Sequence, residues 1–161
     1  MARPSLAARR ARRSAARLHA VQALFQMEAS GAGLDQVREE FETHRLGLDI
    51  DGESYGDADL DHFRTVIHEA VNHQARIDQL TDRALVARWP IARIDPTLRA
   101  LFRAAGAELV AMETPPKVVI AEYVAVARAF FPQGREQKFV NAVLDHVARQ
   151  VRPEAFSGDR D

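Results

Sequence analysis

Asp95-Pro96-Thr97-Leu98-Arg99-Ala100-Leu101-Phe102-Arg103-Ala104-Ala105-Gly106-Ala107-Glu108-Leu109-Val110-Ala111-Met112 is the stretch that decides the fold. Asp95 offers an N-cap acceptor, and Pro96 suits the first helical position, where a missing N–H is no loss. Leu98, Leu101, Ala105, Leu109 and Met112 recur three or four apart, with Phe102 beside Leu101, the spacing of one helix face and not of a strand. Thr114-Pro115-Pro116 ends the run.

The same period continues on both sides. Downstream, Val119, Tyr123, Val126 and Phe130 form a stripe closed by Pro132-Gln133-Gly134. Phe139, Val140, Val143, Leu144 and Val147 form the last one, before a polar tail. Upstream, Leu60, Phe63, Ile67, Ala70, Ile77, Leu80 and Ala84 predict one long helix or two joined ones. Residues 49–59, acidic and carrying Gly52 and Gly56, predict a loop. Leu34, Val37 and Phe41 mark a short helix. Leu18, Val21, Leu24 and Phe25 mark the first, ended by Ser30, Gly31 and Gly33. No run of β-branched residues alternates. The expectation is an all-α chain of six or seven helices, with Leu101, Phe102, Val126, Phe139, Val143 and Leu144 in the core.

Charge is laid out unevenly. Residues 1–17 hold six arginines (Arg3, Arg9, Arg10, Arg12, Arg13 and Arg17) and no acid; the first carboxylate is Glu28. The whole chain has 22 Lys+Arg against 23 Asp+Glu, so a formal charge of −1 conceals a basic start on an acidic body. Guanidinium groups near backbone phosphates release condensed counterions, so such an arm suits nucleic acid. The plain alternative is a solvated tail in a chain that prefers arginine and has only Lys117 and Lys138 as lysines. Arg9, Arg13 and Arg17 are four apart and would share a helix face, where like charges repel. Residues 1–12 are therefore expected to stay unordered until an anion neutralises them.

Other functions find little support. The N-terminus lacks the apolar segment of a secretory signal, although an organellar transit peptide is a second reading of its Arg, Ser and Ala. No apolar stretch reaches the length of a membrane span. With no cysteine, disulfides, thiolate zinc sites and Cys nucleophiles are excluded together. A calcium loop begun at Asp57, Asp59 and Asp61 puts His62 where a turn glycine is needed and His68 where a bidentate Glu belongs. His68-Glu69 fails as a zinc motif, because Asn72 stands at the fifth position and His73 is one residue late. Gly31-Ala32-Gly33 follows a helix, not the strand that a dinucleotide fingerprint requires. No cofactor, metal or catalytic set is expected.

Four segments carry a family resemblance. Arg12-Arg13-Ser14-Ala15-Ala16-Arg17-Leu18-His19-Ala20-Val21-Gln22-Ala23-Leu24-Phe25-Gln26-Met27 resembles the opening helix of the NusB family of bacterial transcription antitermination factors. Leu98-Arg99-Ala100-Leu101-Phe102-Arg103 with Glu108-Leu109 resembles its middle helix. Val118-Val119-Ile120-Ala121-Glu122 through Ala127-Arg128-Ala129-Phe130 resembles the penultimate one, with Ala121 for the usual Asn. Lys138-Phe139-Val140-Asn141-Ala142-Val143-Leu144-Asp145 resembles the family's K-F-V-N-G-V-L-D, with Ala142 for Gly. Phe25 stands where Tyr is common.

The resemblance implies two small helical bundles sharing one core, and a cytoplasmic protein that is not an enzyme. It implies that Arg9, Arg10, Arg12, Arg13 and Arg17 bind boxA RNA of nascent ribosomal transcripts, with Arg135 and Lys138 as further candidates. The implied partners are NusE, which is also a small-subunit ribosomal protein, and the RNA polymerase antitermination complex. The expected division is a basic arm over 1–12, one RNA-binding domain over 13–151 and a polar tail over 152–161. The competing readings are a NusB-like homodimer without direct RNA readout and an RNA methyltransferase module. The latter's glycine-rich cofactor loop and Cys nucleophile are absent.

Overall fold

The computed structural model describes residues 5–45, 49–50, 53–54, 58–85 and 93–159. Seven α-helices occur among them: α1 (Leu6–Ser30), α2 (Leu34–His44), α3 (Leu60–Asn72), α4 (Gln74–Ala84), α5 (Pro96–Ala111), α6 (Pro116–Phe130) and α7 (Arg135–Val151). Asp49–Ile50 (β1) and Glu53–Ser54 (β2) pair antiparallel within the expected loop, Asp49 opposite Ser54. A 3-10 helix, Pro153–Asp159, ends the described chain. Arg3, Gly52, Gly56 and Asp57 lie outside the described residues.

The stretch that decided the fold is its axis. Asp95 caps α5 by accepting from the Thr97 N–H at 2.7 Å. The helix then packs on α1, α3, α4, α6 and α7. Its small residues allow this crowding. Ala100, Ala104, Ala105, Gly106 and Ala107 are all buried, so neighbouring helices approach the backbone closely. At Gly106 a Cβ would lie 2.3 Å from Cγ2 of Ile77 on α4, so only glycine fits that crossing as built. α1, α2 and α3 gather on one side of α5, and α4, α6 and α7 on the other. The result is two bundles with one continuous core.

Helix ends follow the sequence signals. Gly31 adopts φ +75°, and its N–H donates to the Met27 carbonyl at 2.9 Å, closing α1. Gly134, at φ +94°, opens α7. The stripe from Leu60 to Ala84 divides into two helices at His73, whose φ −112° and ψ 15° interrupt the helical course.

Four features differ from the sequence reading or add to it. α1 reaches back to Leu6, with Ser5 accepting from the Ala8 N–H at 3.1 Å, so residues 6–12 form the first turns of the helix. Phe139 is half-buried at the edge of the α5–α7 seam, tilted against Phe102 with ring centroids 5.9 Å apart. Leu60 and Phe25 are exposed, because each lies at the margin of its stripe. The tail is anchored: Phe156 is buried, with the Arg149 guanidinium 4.4 Å above its ring.

Candidate nucleic-acid interface

At 3.6 residues per turn, Arg9, Arg10, Arg13 and Arg17 fall within about 100° of arc on α1, while Arg12 turns about 60° away from Arg9. The first four line one cleft of about 570 Å3. Arg12 is outside it and half-buried, and its carbonyl accepts from the Asp59 N–H at 3.0 Å. Opposite the arginines stand the turn between α5 and α6, with Met112, Glu113, Thr114 and Pro115, and Val118 on α6; Leu6 also lines the cleft. Arg9 and Arg10 are exposed. Arg13 keeps more than half of its side-chain surface in solvent, with Nε 3.5 Å from Asp59.

Arg17 corrects the sequence reading. It is 2% exposed and engaged below the cleft, so it is not an open phosphate ligand. Its Nε donates to Glu108 Oε2 at 2.8 Å and its Nη2 to Oε1 at 3.1 Å. Tyr123 donates to Oε2 at 2.6 Å, and Thr114 to Oε1 at 2.9 Å. A carboxylate has about four lone-pair sites, and these four bonds use them. His62 Nε2 stands 3.1 Å from Oε1 as a further polar neighbour of the carboxylate.

The electrostatics agree with the geometry. Burial works to raise the Glu108 carboxyl, but His62, close by, and Arg17 outweigh it and hold it down at about 2. Burial likewise works against the Arg17 charge, and Glu108 more than restores it. Tyr123 is raised well above its ordinary value, first by burial and then by Glu108, so its phenol stays a donor. Glu122 completes the floor. It accepts from Ser14 Oγ at 2.9 Å and lies 3.7 Å from Arg17 Nη1.

Arg135 and Lys138 lie elsewhere. Both are exposed on α7, and Arg135 lines a separate cleft with Arg93, Ile94, Leu98 and Phe139 that shares no lining residue with the first. The candidates therefore divide into Arg9, Arg10 and Arg13 together, Arg12 beside them, Arg17 beneath and Arg135 with Lys138 apart. Glu108, Glu122 and His62 were not foreseen. Glu108 had a legible signal, as an acid flanked by apolar residues that needs a cation.

Among the described residues no cluster of His, Cys, Asp or Glu could hold a metal, and no helix is long and apolar enough to cross a membrane. The cleft can offer the cations of Arg9, Arg10 and Arg13 to a polyanion along one wall, while the other combines the apolar Met112, Pro115 and Val118 with Glu113 and Thr114.

A model of the NusB family matches residues 14–149. The transcription antitermination protein NusB of Rhodopseudomonas palustris (strain BisB18) is 50% identical over 147 residues, spanning 91% of this chain and 86% of that one. The solved structure of T. maritima NusB superimposes with a TM-score of 0.71 at 28% identity, over 97% of this chain and 99% of that one. A crystal structure of the antitermination factors NusB and NusE with dsRNA matches in fold, with a TM-score of 0.70 at 22% identity over 86% of this chain and 97% of that one.

Proposed function

The chain belongs to the NusB family, and on that premise we propose that it is a transcription antitermination factor binding boxA RNA of nascent ribosomal transcripts together with NusE. The observation that carries this reading is the cleft in which Arg9, Arg10 and Arg13 stand side by side on α1, facing the mixed polar and apolar turn of Met112, Glu113, Thr114 and Pro115. Arg12 extends the basic surface past the cleft, and Arg135 with Lys138 supplies a second basic point on α7. Arg17 has a structural role in this reading and touches no phosphate.

Arginine contacts to phosphate give position and affinity but little sequence information. A second protein surface is therefore needed for discrimination, and the solved assembly of NusB, NusE and dsRNA supports NusE in that place. The protein works as a cytoplasmic binding module of the RNA polymerase antitermination complex and performs no catalysis of its own.

The test is a titration with boxA RNA and a scrambled strand of equal composition, with and without NusE. The pair should bind boxA more tightly than the scrambled strand, and the chain alone should discriminate less. Equal binding of both strands by the assembled pair would overturn the reading.

A further inference from the structure

Both walls of the arginine cleft are tied to one buried carboxylate. Arg17 anchors the α1 wall to Glu108 through two hydrogen bonds of 2.8 and 3.1 Å. Thr114 anchors the opposite turn to the same group at 2.9 Å. The turn is also held from its outer side, where Arg152 Nη1 donates to the carbonyls of Met112 and Thr114 at 3.3 and 3.2 Å. Two walls that share one acceptor cannot separate without breaking a hydrogen bond inside a low-dielectric site.

We propose that Glu108 and Thr114 are positioning residues for RNA: they fix the width of the cleft and touch no nucleotide. This rests on the reading of the cleft as an RNA site. Thr114 is the adjustable member, because His62 stands 3.1 Å from the oxygen that Thr114 occupies and can take the acceptor if the hydroxyl leaves. Losing the Thr114 hydroxyl therefore leaves Glu108 still surrounded by donors while the turn loses its tie to the α1 wall and keeps only its outer one to Arg152. The arginines stay in place, so the phosphate attraction persists and the fit of the strand between the walls is lost.

The experiment measures RNA affinity against salt for the full chain with NusE, using boxA RNA. Thr114→Val, which removes the hydroxyl and keeps the shape, should weaken binding about tenfold at every salt concentration, a parallel shift with the slope unchanged because the phosphate contacts remain. Thr114→Ser should restore binding to within about twofold of the parent, which a role in packing alone would not do. If Thr114→Val does not fold, Arg152→Ala releases the same turn from outside and should produce the same parallel shift.

Unaltered affinity in a folded Thr114→Val or Arg152→Ala chain overturns the proposal. The triple change of Arg9, Arg10 and Arg13 to Ala tests the underlying reading separately. If the triple variant loses affinity while Thr114→Val does not, the cleft binds RNA and its width is not set by Thr114. If the triple variant binds like the parent, the cleft reading and this proposal fail together.

Discussion

Arg17 and Glu108 face each other across the α1–α5 interface, joined by two hydrogen bonds and almost wholly removed from solvent. Such a pair contributes little beyond what well-packed apolar residues would, but breaking it leaves a buried charge unmatched. Arg17→Ala or Glu108→Gln should cost about 3–5 kcal/mol, and replacing both by Met and Leu should recover only part of that loss, because the buried Tyr123 hydroxyl and Thr114 would then lack their acceptor. Urea denaturation of the two single variants and the double variant checks this. A loss below ~1 kcal/mol for either single variant would show that the pair is well hydrated in solution.

The same pair sets an acid limit. Glu108 is held at about 2 in the folded chain, against roughly 4.3 for an unperturbed Glu. A depressed carboxyl contributes stability that is complete above the unfolded value and is lost as pH falls through the folded one. Melting temperature should therefore fall from about pH 5 downward, the range in which the unfolded chain takes up protons first. Glu28, lowered chiefly by its hydrogen bond from Arg99, and Glu42, lowered chiefly by that from Arg64, act in the same direction. Both are more exposed, so salt should weaken their share and spare that of Glu108. Glu108→Gln should flatten the salt-resistant part of the acid dependence, and a parallel curve would assign that part elsewhere.

Gly106 sets two effects against each other. Alanine is the better helix former by about 0.8–1 kcal/mol, yet its Cβ would meet Ile77 Cγ2 at 2.3 Å, with Ile77 Cγ1 and Cβ also within 3.3 Å. Ile77 is 1% exposed and β-branched, so it has little room or rotamer freedom to yield. Overpacking of this kind costs about 1–3 kcal/mol, and it should win, leaving Gly106→Ala less stable by about 1 kcal/mol in urea. Ile77→Ala in the same chain should cost less than in the parent, because the new methyl group occupies part of the vacated space. A Gly106→Ala chain more stable than the parent would show that α4 can move away.

The architecture was legible where periodicity and punctuation coincided, as at Asp95-Pro96 and at Gly31. Burial at stripe margins was not, because a single stripe gives a face but not its edges: Phe139 and Leu60 belong to their stripes yet lie where the packed surface ends. The misreading of Arg17 has a specific cause. Reading charge along the chain grouped it with Arg9 and Arg13, although it also precedes Val21 by four and Leu24 by seven, in register with the buried stripe. A cation in an apolar stripe implies a buried anion, and the acid within the α5 stripe was Glu108. The unforeseen part of the site is thus a long-range pairing, separated by 91 positions and invisible to local spacing.

The basic surface makes the sharpest prediction once Arg17 is set aside. Arg9, Arg10, Arg12 and Arg13 should carry much of the salt-sensitive RNA affinity and little of the stability, since Arg9, Arg10 and Arg13 are exposed and Arg12 is only half-buried. For single strands, log K falls with log salt by about 0.7 per neutralised phosphate, so four contacts give a slope of roughly −3. Changing all four to Ala should flatten the slope by about that amount and leave the melting temperature nearly unaltered. Arg17→Ala should do the reverse, lowering the melting temperature first. The first three turns of α1 also concentrate like charge, which a phosphate backbone would relieve. An unchanged slope in the fourfold variant would place the RNA away from α1, with Arg135 and Lys138 the next positions to alter.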